Sequence, residues 1–277
     1  MWGTLSWGLV SPVIGVVIDA VSTPPSVNYV PGVIVFTVLI AINIVLLLCI
    51  PRFMMPTTSD NFLRDLTKIY KDVRVIVFTF WALLGGILMG ALWTYSVWML
   101  EEVHASKTLT GLTFALQALL IEIPMFFISG RLLGWFGHFG CMALAFAGFG
   151  IKFVGYSFLQ NAYYALLVDI VGGAVFPLFY VALTGFANLA AVPGTSSTMQ
   201  CLLGATYEGI GCSIGSYLCG QLISLYGIRQ AFRLLGVSAF VCAPICGLAV
   251  LLRNTRTFSD PLHSYSRGPG YGTSGSE

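Results

Sequence analysis

The sequence predicts an all-α, multi-pass membrane protein, and three observations carry that prediction. Eight continuous apolar stretches occupy most of the 277 residues. Each is close to the ~20 residues of helix needed to cross a hydrocarbon core of about 30 Å. The composition, 57% hydrophobic against 9% charged, would leave a water-soluble domain with more apolar surface than one core could bury. The stretches are apolar throughout rather than alternating, which excludes a membrane barrel built of two-sided strands.

Taken in order, the spans fall near residues 2–18, 31–50, 75–100, 109–128, 139–159, 163–187, 199–225 and 232–252. The first lacks the basic residues that precede a cleaved leader, so it is read as a helix of the fold. Between the second and third, the segment SDNFLRDLTKIYKD (59–72) mixes both charge signs, with Leu63, Leu66, Ile69 and Tyr70 at helical spacing. It is expected to form an interfacial helix within a linker over 51–73. The tail 254–277, with RGPGYGTSGSE, has little to bury and is expected to be disordered. The seven cysteines lie in or at the ends of spans with no histidine at ligand spacing, so neither a disulfide framework nor a metal site is expected.

Glycines suggest an internal repeat. The opening WGTLSWGLVSPVIG places them at 3, 8 and 15, and LGATYEGIGCSIG in the seventh span places them at 204, 209 and 215. The shift is about six spans, the layout of two six-helix halves fused in parallel. Glycines so spaced also let helices approach closely in lipid, so packing alone could produce the pattern.

With these residues in view, the chain resembles the major facilitator superfamily. MWGTLSWG (1–8) looks like the start of the fifth helix in its lactose-permease and nucleoside-symporter-like branch. PGTSSTMQCLLGATYEGIGCSIG (193–215), with its Pro-Gly-x-x-x-Thr-x-Gln run, resembles the eleventh-helix signature of that branch, most nearly in the group of major facilitator superfamily domain-containing protein 6. The resemblance implies a major facilitator-like helical bundle of about eight helices, numbers five to twelve of that fold, with one six-helix half complete. Residues 1–50 would be the last two helices of an N-terminal bundle, 51–73 a cytoplasmic linker, and 74–253 the six-helix C-terminal bundle. On this mapping the first two helices lack the neighbours that would bury the faces of Gly3, Gly8 and Gly15. The loop motif between helices eight and nine is reduced to SGRLLGWFGH (129–138), keeping Arg131 but not the usual acid.

Chemistry is expected at the charges inside the spans, because an ionisable group at the bilayer centre costs about 2.5–3.5 kcal/mol on insertion scales and persists with a partner or a wet cavity. They are Glu122, Lys152, Asp169 and Glu208. Lys152 and Asp169 lie equally far from the turn near 160–161, at the same depth, and are expected to form a structural ion pair. Glu122 sits mid-span just before Pro124, whose missing N–H frees a carbonyl. Glu208 sits among glycines near the middle of its span. In the resembled permease a helix-eight glutamate takes part in sugar recognition, which assigns Glu122 to substrate and leaves Glu208 and Asp169 for proton coupling. Gln117 can bond across helices, and Trp93 can stack on a ring-shaped substrate, although Trp81, Trp93 and Trp98 also suit packing or membrane anchoring. Asp19 is read as solvated at the end of the first span.

No Walker loop, nucleophile elbow, zinc-binding helix or dinucleotide fingerprint occurs, so an enzyme is the weaker hypothesis and no cofactor is expected. The net charge of +2 gives no reason to expect nucleic acid. The expected partners are the lipid bilayer and an unidentified small-molecule substrate; oligomeric state is not readable. The function expected is secondary active transport of a small solute, proton-coupled, by alternating access. The alternative is a non-transporting receptor-like membrane protein or an inactive truncated product; outer loops as short as EEVHASK (101–107) give a receptor little to display.

Orientation follows from basic residues. Arg52, Arg64, Lys68, Lys71, Arg74, Arg131, Arg253, Arg256 and Arg267 fall on one side of eight crossings, while Lys107, Arg229 and Arg233 fall on the other. By the positive-inside rule both termini face the cytoplasm. Single cysteines in a cysteine-free background are therefore expected to react with an impermeant reagent in intact cells at position 106 but not at 67 or 264. The reverse pattern would overturn this topology.

Overall fold

The computed structural model describes residues 2–22, 27–49, 72–191 and 195–254, with 249–254 described by backbone alone. Ten α-helices and two π-helical segments make up this part, with no strand among the described residues. They are α1 (Trp2–Val21), α2 (Val30–Cys49), α3 (Val73–Glu102), α4 (Lys107–Leu116), π1 (Gln117–Glu122), α5 (Ile123–Ser157), α6 (Tyr164–Gly172), α7 (Val175–Ala190), α8 (Ser196–Gly204), π2 (Ala205–Gly211), α9 (Cys212–Tyr226) and α10 (Ile228–Asn254). The interfacial helix expected over 59–72 and the expected disordered tail lie almost wholly outside the described residues.

Six stretches among the described residues are long and apolar enough to cross a bilayer. One of them runs 51 residues from Lys107 to Ser157, and it turns at Gly137, where φ 69 and ψ 176 leave the helical region and only glycine fits without strain. It therefore supplies two crossings. The run from Ser196 through π2 to Tyr226 is continuous helix but falls outside the six, because glycines, Gln200 and Glu208 dilute its apolar content. Eight crossings result, as the lengths of the apolar stretches predict.

Packing in lipid rewards close backbone approach rather than burial of oil from water. On α3, Gly86 and Gly90 lie against Gly211 of π2 and Cys212 and Gly215 of α9: a Cβ at Gly86 would meet the Tyr207 carbonyl, and one at Gly215 the Ile87 carbonyl. Polar contacts continue the seam, with Thr94 Oγ1 and Ser216 Oγ 2.7 Å apart and Ser216 donating to the Gly90 carbonyl at 3.2 Å. Beside it, Gly85 makes room for the ring of Phe179, which stacks on Tyr207 at 4.9 Å and meets Phe146 edge-on at 5.9 Å. Buried aromatics from α3, α5, α7, π2 and α10 form one continuous core with Phe179 inside it.

The first helix departs from expectation. Gly8 and Gly15 are buried, not exposed: a Cβ at Gly8 would press on Ala118 and Leu119, one at Gly15 on the Lys107 carbonyl, and one at Gly111 on Ser11 and Pro12. Only Gly3 of that face has nothing within 4 Å. Small residues on both sides let α1 lie along α4 and π1, so the neighbour its glycines need is the fourth crossing. Asp19 is likewise not merely solvated. Its carboxylate accepts hydrogen bonds from the amides of Lys107 (3.0 Å) and Thr108 (2.7 Å) and from the Thr108 hydroxyl (2.7 Å), closing the first turn of α4 from another helix. Nearby, Glu101 accepts from both the Lys107 ammonium and the Tyr29 hydroxyl, which ties α3 to the start of α2. At its start α2 packs on Ile14 and Ile18 of α1 through Gly32, but none of its residues is fully buried, and Leu47 and Leu48 are 62% and 81% exposed, the surface of a helix solvated by lipid.

Adding one methyl group at the seam should therefore cost far more than adding it elsewhere. Gly90→Ala is expected to lower the melting temperature in detergent, since overpacking costs about 1–3 kcal/mol, while Gly204→Ala, with nothing within 4 Å, leaves it unchanged or raises it. Equal effects at the two positions would contradict the backbone-contact account.

Candidate functional site

The α1 and α4 helices converge where Asp19 caps Lys107 and diverge toward Gly3. In the space this opens, bounded also by α3, α5, α7 and π2, lies a cavity of about 570 Å³. Its lining is mostly apolar and aromatic, with Trp7, Trp93, Phe126, Phe176 and Tyr180 among its walls. The polar exceptions include Ser96, Gln117, Glu122, Lys152 and Glu208.

Local structure places both acids in π-helical segments. Pro124 has no N–H to offer the Leu120 carbonyl, and its ring would crowd that carbonyl in a regular α-helix. The helix widens over Gln117–Glu122 instead, and the widened turn lets Gln117 Nε2 donate to Glu122 Oε1 at 2.6 Å. Glu208 lies in π2, between Gly204 and Gly211, and lines the same cavity. Single-turn π segments inside α-helices recur at functional sites because they redirect side chains that regular register would place elsewhere.

Four of the sequence-derived residues join in one chain of polar contacts. Lys152 Nζ is 3.1 Å from Asp169 Oδ1 and donates to Gln117 Oε1 at 2.6 Å, while Gln117 reaches on to Glu122. Asp169 is wholly buried and also accepts from the Tyr156 hydroxyl, at 2.8 Å to Oδ1 and 2.9 Å to Oδ2. Gly172 leaves space for the Lys152 stem; a Cβ there would lie 2.6 Å from its Cδ. The chain links α5 to α6 and to π1, and Lys152 borders the cavity, so the ion pair belongs to the site's wall rather than to a remote part of the bundle.

Glu208 is not part of this chain. It is exposed to the cavity and accepts no hydrogen bond from the described residues. Trp93 lines the cavity and is 54% exposed, its ring tilted against Phe176 with centroids 6.0 Å apart. Tyr156, Phe176 and Tyr180 were not singled out from the sequence. Tyr156 carried a signal, since it follows Lys152 by four residues on one helix face; Phe176 and Tyr180 share a face of α7 at the same spacing but look like ordinary packing aromatics. No cluster of metal-ligating side chains occurs among the described residues.

Removing Lys152 alone should leave Asp169 buried without its counter-charge, an effect of about 3–5 kcal/mol. Lys152→Ala is therefore expected to lose most folded material on size-exclusion chromatography. Lys152→Ala combined with Asp169→Asn is expected to regain it. A double variant no better than the single would show that the pair does not set stability.

Comparison with known proteins agrees with the architecture. The MFS_1 like family matches residues 1–234. Two Xenopus laevis proteins, major facilitator superfamily domain-containing protein 6-like proteins A and B, are 25% and 23% identical over 175 residues, which is 63% of this chain. Those matches cover 29% and 28% of the two relatives. Major facilitator superfamily domain-containing protein 6-like of Danio rerio is 25% identical over 195 residues, 70% of this chain and 35% of that relative. The chain thus spans about a third of the curated relatives it matches or less. With residues 1–234 matched, the chain belongs to the MFS_1 like family of the major facilitator superfamily.

Proposed function

We propose that this chain forms the substrate cavity wall of a secondary active transporter, moving a small solute by alternating access with coupling to protons. The observation that carries this reading is the pair of acids, Glu122 and Glu208, held in two π-helical segments that line one cavity. Midplane sites where two bundles meet, built on locally broken helices, are the plan of secondary transporters. Residues 1–50 would belong to the N-terminal bundle and 74–253 to the C-terminal one, so the cavity between α1 and the other helices is the inter-bundle site. Both termini would face the cytoplasm.

Roles divide by environment. Glu208, with no partner among the described residues and open to the cavity, is the better proton carrier, because its carboxyl can exchange with whichever side the cavity faces. Asp169 was the other proton candidate from sequence; closed in by Lys152 and Tyr156, it suits the role of fixed counter-ion. Glu122, held by Gln117 on one oxygen, suits substrate contact, with Gln117 positioning it and Trp93 offering a ring face.

In the full-length protein, Glu208→Gln is expected to abolish gradient-driven accumulation while solute exchange down its gradient persists, since the amide keeps shape and hydrogen bonding but cannot cycle a proton. Uptake in proteoliposomes with and without a pH gradient measures this. Accumulation at wild-type level in the variant would contradict the assignment.

A further inference from the structure

We infer that the solute is an organic cation, an amine carrying an aromatic or other flat apolar group; this rests on the transport reading above and adds the substrate's chemical class to it. The inference follows from charge and shape together. Of the charged side chains at the cavity, Lys152 is already committed: Asp169 lies 3.1 Å from its ammonium, Gln117 accepts a second bond, and Tyr156 completes the shell of Asp169. That unit is neutral, with two of the three ammonium donors engaged. What remains facing the space are two carboxyl groups. Glu122, 8% exposed, accepts one hydrogen bond, on Oε1, and Glu208 accepts none from the described residues. Neither acid has an ion-pair partner among the described residues, and a bound cation would supply the counter-charge and the donors that both lack.

The rings beside these acids suit the same guest. Phe176 stands at the centre of a group with Trp93 at 6.0 Å, Tyr180 at 5.6 Å and Phe126 at 6.2 Å between ring centroids. Trp93 and Tyr180 remain 54% and 36% exposed to receive a ligand. Aromatic faces attract cations most strongly where water is excluded, and they stack with flat apolar groups. An anionic solute would instead have to draw Lys152 away from Asp169, leaving a buried carboxylate unpaired. A neutral polyol would need several donors, and the walls are mostly ring and aliphatic carbon.

The test is binding to the purified 277-residue chain in nanodiscs by calorimetry, using three isosteres: phenethylammonium, 2-phenylethanol and 3-phenylpropanoate. The amine is expected to bind at least about tenfold more tightly than the alcohol, and the carboxylate most weakly. Glu122→Gln should reduce the amine to the affinity of the alcohol, and Trp93→Ala should weaken amine and alcohol alike. Equal binding of the three, preference for the carboxylate, or no binding of the amine would overturn the inference. Uptake by the full-length protein separates this from the transport reading. Amine binding with no gradient-driven uptake would sink transport and leave the ligand class standing, whereas uptake of neutral or anionic solutes with no preference for amines would do the reverse.

Discussion

Lys152 sits where a cation is hardest to keep. An ammonium in the middle of a membrane bundle survives only if charge and hydrogen-bond donors are met at once, and here they are met by Asp169 and Gln117. Because those partners come from α6 and from π1, satisfying one side chain fixes three elements relative to one another. Gln117 passes the constraint on to Glu122, which is thereby aimed at the cavity with one oxygen already engaged. Tyr156, one turn along from Lys152, holds both oxygens of Asp169. The position of Glu122 on the cavity wall thus depends on the neutralisation of a charge two hydrogen bonds away.

Around this polar chain, the helices are brought together by absence of side chains. Gly86 and Gly90 against Tyr207, Gly211 and Cys212, Gly215 against Ile87, and Gly15 against Lys107 at the start of α4, put backbone on backbone, while Gly8 makes room for the side chains of Ala118 and Leu119. In lipid such contact supplies dispersion attraction that larger apolar residues would forfeit, since hydrocarbon solvates them equally well on the outside. The two seams differ in consequence. The first joins α3 to π2 and α9 and so seats Glu208. The second joins α1 to the rest, is closed at one end by Asp19 on the amides of Lys107 and Thr108, and opens toward Gly3 to leave the cavity.

The helical class, the eight crossings and the four intramembrane charges were legible in the sequence, because a bilayer imposes length and apolarity on a helix and tolerates few charges. Partnership of Lys152 with Asp169 was legible too, from equal depth on either side of a short turn. Other features were not. The burial of Gly8 and Gly15 depends on a helix more than ninety residues away, and no periodicity in α1 names its neighbour. Asp19 caps a helix to which it is not joined, a role that sequence signals for caps, which are local, do not reveal. The π segments follow from Pro124 in one case, while π2 contains no proline and gives no comparable mark. Phe176 and Tyr180 read as core aromatics until the cavity beside them is seen.

The central claim is that the space between α1 and the remaining helices is a site reached alternately from the two sides of the membrane. Ser96, 5% exposed on the cavity wall, reports on this, because serine to cysteine is nearly isosteric. The direct measurement is the alkylation rate of Ser96→Cys, in a cysteine-free full-length protein, by an impermeant reagent added to one side or the other. The account predicts reaction from both sides, with rates that shift in opposite directions when the pH gradient is reversed. Reaction from one side only, at a rate indifferent to the gradient, would contradict it.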